Sequence, residues 1–137
     1  MRRAILIALT VLGLSVLAPS VSTAASADAH PEWGSTSAKS ATIKQGCRKY
    51  AYSYALTPPD GYWSLETFLV GPGGKRYGSD TFQSGDPLVG TGTWRLCRRA
   101  TKGGQYAIRA KLSVINGADY YEGWLPETTF RLRKPPR

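Results

Sequence analysis

The sequence predicts an all-β protein folded as an antiparallel β-sandwich of six to seven strands. Apolar and polar residues alternate with period two in short runs from about residue 41 onwards, which is typical of strands. Glycine- and proline-rich turns separate these runs, and no helical period occurs after residue 28. Strands at this spacing favour a sandwich or a barrel.

Each predicted strand follows from its own alternation. Tyr50, Tyr52 and Tyr54 share one face of the second strand, and Ile108 and Leu112 share one face of the longest strand. The predicted strands cover residues 41–45, 48–56, 62–70, 75–82, 91–99, 105–115 and 127–133. An Asn-Gly pair at 116–117 suits a type I′ hairpin turn after the longest strand.

The first 27 residues have the layout of a secretory signal peptide. Arg2 and Arg3 precede an uncharged apolar run over residues 4–18, and small residues at 25–27 suit cleavage after Ala27, with Ala24 and Ala25 as alternatives. A membrane anchor is the competing interpretation, but a span needs about 20 apolar residues. Residues 28–40 lack periodicity and predict a flexible leader, so the single domain covers 41–137. We therefore expect a secreted, extracellular protein.

The two cysteines, Cys47 and Cys97, predict one disulfide bond. An even cysteine count in an exported chain is typical of a structural bridge. A redox-active pair would more often have Cys-x-x-Cys spacing.

The charge of the chain is strongly positive. There are 18 Lys and Arg residues against 9 Asp and Glu residues, and loss of Arg2 and Arg3 with the signal leaves a net charge of +7. Such a surface favours anionic partners, although a basic surface that serves only solubility is the alternative. We expect an anionic polysaccharide or cell-wall polymer, or a protein partner. No nucleic-acid-binding signature is present, so no specific nucleic-acid binding is expected.

The order Cys47, Trp63, Cys97 resembles the immunoglobulin pattern, in which a tryptophan packs on an inter-sheet disulfide. The resemblance implies an immunoglobulin-like sandwich. It departs from the pattern at Arg95, which occupies the position of the tyrosine-corner tyrosine, and two strong strands follow Cys97 where one is expected.

A second resemblance covers about residues 62–114. Strand 62–70 with its Gly-Pro-Gly-Gly-Lys turn, the segment Gly92-Thr93-Trp94 and the segment at 104–108 are similar to small exported bacterial sandwiches, such as pre-peptidase C-terminal and convertase P-type domains. The Arg-, Ala- and Gly-rich usage is similar to secreted actinobacterial proteins of unknown function. These resemblances imply a non-catalytic accessory domain and assign no binding residues.

The sequence offers few groups for catalysis. Nucleophilic catalysis needs a positioned base, and the only histidine, His30, falls in the predicted leader. Glu66 paired with Glu122 or Glu127 remains open as the two carboxylates of a minimal hydrolase. We expect no catalytic residue and no enzyme.

Cleavage after Ala27 would create a metal-binding N-terminus, Asp28-Ala29-His30. A free amine, two backbone amides and the imidazole at position three suit square-planar Cu(II) or Ni(II). The arrangement resembles the amino-terminal copper- and nickel-binding motif of serum albumins. Chance placement of the histidine is the alternative, and no cofactor is otherwise expected.

Two groups of residues are candidates for ligand binding. The aromatic residues Tyr120, Tyr121 and Trp124 fall in a predicted connection, where they either bind a ligand or seal one end of the core. The basic residues Arg109, Lys111, Arg131 and Arg133 fall on the outward faces of two strands, and they form one positive face if those strands are neighbours.

The leading functional hypothesis is a secreted, monomeric, non-catalytic binding module with a basic surface that associates with anionic polymers. A secreted protease inhibitor or effector, acting through the loop at 83–90 or the turn at 58–61, is the second hypothesis. A minimal hydrolase is the third.

Overall fold

The computed structural model describes residues 28–136, and the predicted signal segment, 1–27, lies outside the described residues. No helix in the described range is long and apolar enough to cross a membrane. The strands are β1 (Gly34–Ser37), β2 (Ala41–Thr42), β3 (Cys47–Leu56), β4 (Tyr62–Val70), β5 (Arg76–Gln83), β6 (Val89–Cys97), β7 (Gly104–Asn116), β8 (Asp119–Trp124) and β9 (Thr128–Arg133).

The strands form two sheets, which confirms the predicted all-β sandwich. One sheet has the order β1-β3-β6, and the other has the order β2-β9-β7-β4-β5. The long strand β7 pairs with β9 along its first half and with β8 along its second half. Neighbours are antiparallel except β2 and β9, which run parallel.

The core lies between the inner faces of the two sheets, as the alternation predicts. Leu65, Ile108 and Leu112 of the larger sheet are fully buried, and Tyr52 and Tyr54 cover them from the smaller sheet. Fully burying one such apolar side chain stabilises a fold by about 1.5–3 kcal/mol. The continuous period-two pattern is therefore enough to place β3, β4 and β7.

Glycines on β6 make room for the tyrosines of β3. Gly92 is the register partner of Tyr52, and Gly90 is the partner of Tyr54. A Cβ at either glycine would meet the facing tyrosine ring. The Tyr52 ring stacks on Trp94 with centroids 3.8 Å apart, and the Tyr52 and Thr67 hydroxyls lie 2.6 Å apart.

The structure adds two strands to the prediction, and both lie in segments expected to be irregular. Within the predicted leader, Gly34–Ser37 forms β1, which pairs with the end of β3. The predicted connection after β7 contains β8, whose hairpin turn centres on Gly117, with Asn116 paired to Asp119. The expectation of an unstructured leader over 28–40 and of a loop around Tyr120 is therefore wrong.

The predicted disulfide Cys47–Cys97 is present. Its two cysteines are direct register partners on β3 and β6, so the bond lies within one sheet and does not join the two sheets. Trp63 packs with Leu65 and Val114 in one core cluster, whereas the tryptophan on the disulfide-linked strands is Trp94. The tryptophan-on-disulfide arrangement of the immunoglobulin pattern is therefore absent from residues 28–136.

Candidate binding surfaces

One end of the sandwich, here called the basic end, carries most of the positive charge. It is the end where β3 and β7 begin and β6 and β9 finish, since Cys47 pairs with Cys97 and Gly104 pairs with Leu132. Its cationic residues are Lys44, Arg48, Lys49, Lys75, Arg76, Arg95, Arg98, Arg99, Lys102, Arg131, Arg133 and Lys134.

The basic end contains no acidic residue among residues 28–136. The acids of the chain lie elsewhere, at Asp28, Glu32, Asp60, Glu66, Asp80, Asp86, Asp119, Glu122 and Glu127. All ion pairs found in the described range also lie outside this end. Its positive charges are thus uncompensated by side chains of the protein.

Hydrogen bonds from the side chains of Arg98 and Lys134 to backbone oxygens hold the geometry of the basic end. The Arg98 guanidinium donates to the backbone oxygens of Ile43, at 3.1 Å, and of Pro135, at 2.8 Å. The Lys134 ammonium donates to the backbone oxygen of Thr101 at 3.1 Å. These bonds tie the C-terminal segment to the turn after β6.

A groove of about 960 Å³ lies beside the disulfide at this end. Its lining includes Gln45, Arg99, Lys134 and the two cysteines. Arg99 is exposed, and no hydrogen bond or ion pair of its side chain is found within residues 28–136. Exposed, unpaired guanidinium groups are well suited to carboxylate, sulfate and phosphate groups.

The four basic residues predicted on two strands do share one face. Strands β7 and β9 are neighbours, and Arg109, Lys111, Arg131 and Arg133 all lie on the outer face of the larger sheet. Their binding role remains a prediction.

Acids neutralise two of these four residues. Lys111 Nζ lies 3.2 Å from Glu66 and 3.5 Å from Glu122, and Arg109 Nε lies 3.9 Å from Glu127. Hydrogen bonding to Glu66 raises the pKa of Lys111. The positive charge available to an anion is therefore greater at the basic end than on this face.

The predicted aromatic candidates lie on β8 and do not close the core. Tyr120 and Tyr121 are exposed, on opposite faces of the strand. Trp124 is half-buried beneath Arg109, whose guanidinium lies 4.7 Å from the indole centroid. The interpretation of the two tyrosines as an end cap of the core is therefore wrong.

An exposed apolar row was missed by sequence reasoning. Tyr62, Ile115 and Tyr120 are successive register partners on β4, β7 and β8, and each is more than half exposed. The Asn-Gly pair signals a hairpin, but a turn with Asn116 and Gly117 as its central residues would place Tyr120 opposite Ser113. The turn lies one residue later, at Gly117 and Ala118, and this register places Tyr120 opposite Ile115.

Glu66 and Glu122 are brought together by Lys111, which contacts both carboxylates on the open outer face. The Tyr120 hydroxyl donates to Glu122 at 2.5 Å, and this bond is the main reason that the pKa of Glu122 is lowered. Glu127 lies beside Arg109 instead. A hydrolytic role for the first pair remains a prediction, for which Glu66→Gln in a substrate screen is the test.

The predicted copper site uses atoms that already have other partners. The backbone N–H of His30 donates to the Trp124 oxygen at 2.7 Å, and His30 Nδ1 lies 2.7 Å from Glu32 Oε1. The His30 ring also stacks on Trp33. Asp28 and Ala29 precede it, and Ala29 bridges to Trp124. Metal binding at Asp28, Ala29 and His30 remains a prediction, and it would require these bonds to break.

No cluster of three or more His, Cys, Asp or Glu residues suited to a metal occurs within residues 28–136. Comparison with protein-family models finds no match, and comparison with curated proteins finds no significant relative. Fold and surface thus define the class: a disulfide-linked, all-β sandwich with its positive charge concentrated at one end.

Proposed function

We propose that this protein is a secreted, non-catalytic binding module that holds an anionic extracellular polymer, such as a cell-wall polysaccharide, at its basic end. The observation that carries the proposal is the concentration of cations at that end without any acidic neighbour among the described residues. Export is part of the proposal, and the disulfide is compatible with it.

One like-charge register pair at the basic end supports a role in binding. Lys49 on β3 is the register partner of Arg95 on β6, and like charges directly opposite each other destabilise a sheet. Fold stability therefore gives no reason to keep both cations, whereas an anionic chain lying across the pair would.

The experiment is binding of the protein, expressed without residues 1–27, to polygalacturonate at low and high salt. We expect affinity to fall at least about tenfold as the screening length shortens from roughly 10 Å to 3 Å between 0.1 M and 1 M salt. Neutral dextran serves as the polymer control and should not bind.

A charge-matched pair of variants tests the location of the site. Arg95→Ser with Arg99→Ser removes two charges from the basic end, and Ala55→Glu with Thr57→Glu lowers the net charge equally at exposed positions towards the other end of β3. We expect the first variant to lose most binding and the second to keep it. Equal losses of binding in the two variants would contradict the proposal, and so would wild-type binding that does not change with salt concentration.

The loop between β5 and β6 favours protease inhibition as a second candidate function. Leu88 of this loop and Val89, the first residue of β6, are exposed. The loop backbone is fixed by Tyr54 donating to the Pro87 oxygen at 3.0 Å and by Leu56 N–H donating to the Leu88 oxygen at 2.8 Å. A rigid loop with an exposed apolar side chain suits a protease cleft. A protease panel with Leu88→Ala as the variant tests this candidate.

A further inference from the structure

An apolar cleft enters the sandwich beside the free edge of β3. It has a volume of about 500 Å³, within the range of small-molecule sites. Its apolar walls include Tyr50, Leu69, Trp94, Leu96, Phe130 and Leu132, which come from both sheets.

The cleft exists because β1 is short. Its pairing with β3 stops at Ser37 and Ser53, after which the chain crosses from the smaller sheet to β2 of the larger sheet. The crossing segment brings Ala38 and Ala41 to the cleft, and small side chains there leave its mouth open.

A second depression, lined by cations, adjoins the cleft. The two depressions share Ala41, Tyr50 and Ala51. The second one is also lined by Lys44, Arg48 and Lys49. Neither lining contains an acidic residue within the described part of the chain.

Tyr50 forms the wall between the two depressions. Its hydroxyl accepts a hydrogen bond from the Lys44 backbone N–H at 2.9 Å, which fixes the ring and places the lysine backbone beside it. The apolar cleft and the cation-lined depression therefore meet at the fixed side chain of Tyr50.

We propose that this composite site binds a single-chain amphiphile with an anionic head group, such as a fatty acid or a lysophospholipid. The acyl chain lies in the apolar cleft, and the head group lies against the three cations of the adjoining depression. The apolar cleft does not depend on polymer binding, since it is a separate feature from the groove beside the disulfide. The three head-group cations also belong to the basic end.

The first test is calorimetric titration with saturated fatty acids of increasing chain length, kept below micelle formation. We expect each added methylene to tighten binding about fourfold until the cleft is filled, which is the fold-change for about 0.8 kcal/mol per buried CH₂. The alcohol of the same length should bind at least tenfold more weakly, because it lacks the charge. Absence of fatty-acid binding, or equal affinity for acid and alcohol, would overturn the proposal.

Four variants locate the site. Ala38→Trp should fill the cleft and abolish binding of acid and alcohol alike, and Ala41→Leu serves the same purpose if the first variant unfolds. Lys44→Ser should weaken binding of the fatty acid and leave binding of the alcohol unchanged. Lys75→Ser removes the same charge at the basic end but outside both depressions, and it should change neither.

Two comparisons separate this site from the polymer site. Ala38→Trp should keep its affinity for polygalacturonate, because it changes only the apolar cleft, and a lysophospholipid should compete with the fatty acid. Unaltered fatty-acid binding by a folded Ala38→Trp protein would show that the acyl chain binds outside the cleft, and it would overturn the proposal. Arg95→Ser with Arg99→Ser leaves the lining of both depressions unchanged, so it should lose polymer binding and keep its affinity for the fatty acid.

Discussion

Lys49 and Arg95 are direct register partners on β3 and β6, two positions from the disulfide pair on each strand. Both side chains are exposed on the outer face of the smaller sheet. Two cations held opposite each other cost stability, and this cost supports the proposal that the basic end binds an anion.

The first prediction concerns this pair. Arg95→Glu should raise the free energy of unfolding by about 0.2–1 kcal/mol, because an opposite-charge pair replaces a like-charge pair. The same change should weaken polygalacturonate binding. Urea denaturation measures the first effect, and Thr93→Glu, on the same face opposite Ala51, is the control. A less stable Arg95→Glu protein would contradict the argument.

The second prediction concerns the disulfide. Cys47 and Cys97 are 50 positions apart, and closing a loop of that length stabilises the folded state by about 4 kcal/mol in the chain-entropy account. Replacing both with serine should lower the free energy of unfolding by about this amount. Reductant should lower the urea midpoint of the wild-type protein to about that of the serine variant. The midpoint of the serine variant should not change with reductant.

The third prediction concerns the glycine beneath Tyr52. Gly92→Ala adds a Cβ that meets the buried Tyr52 ring, so the ring must move off Trp94 and away from Thr67. Overpacking of this kind typically costs about 1–3 kcal/mol. Thermal unfolding measures the loss, and Thr93→Ala, at an exposed position on the same strand, should change little. A Gly92→Ala protein as stable as wild type would show that the ring has room to shift.

The fourth prediction concerns pH. The pKa of Glu122 is lowered in the folded state by the Tyr120 hydroxyl and by Lys111, so its contribution to stability is present above its ordinary value of 4.5 and is lost as pH falls below it. Lys111→Met leaves Glu122 and Glu66 without their shared cation. The variant should lose more stability at pH 7 than at pH 3.

Urea midpoints at the two pH values test this prediction, together with an NMR titration of the Glu122 carboxyl, whose pKa should rise in the variant. Lys75→Met is the control, since no ion pair of Lys75 is found within residues 28–136. An equal loss at both pH values would indicate that Lys111 acts through packing alone.

Sequence pattern alone determined the fold class, the longest strands and the disulfide. Alternation in β3, β4 and β7 is long and bounded by glycine and proline turns, so only a strand with one buried face satisfies it. Short or polar strands carry no such signal. Gly34–Ser37 is made of small polar residues, and it forms β1 because the free edge of β3 offers backbone partners.

Only the tertiary structure decided which cations lie close together. Lys44, Arg99 and Lys134 are far apart in sequence, and they share one end because the sheet registers and the Arg98 hydrogen bonds bring their segments together. Tertiary structure also paired Lys111 with two glutamates, which neutralise its charge on the predicted positive face. The composition gives the number of charged residues. Whether two opposite charges neutralise each other depends on the distance between them, which only the packed structure determines.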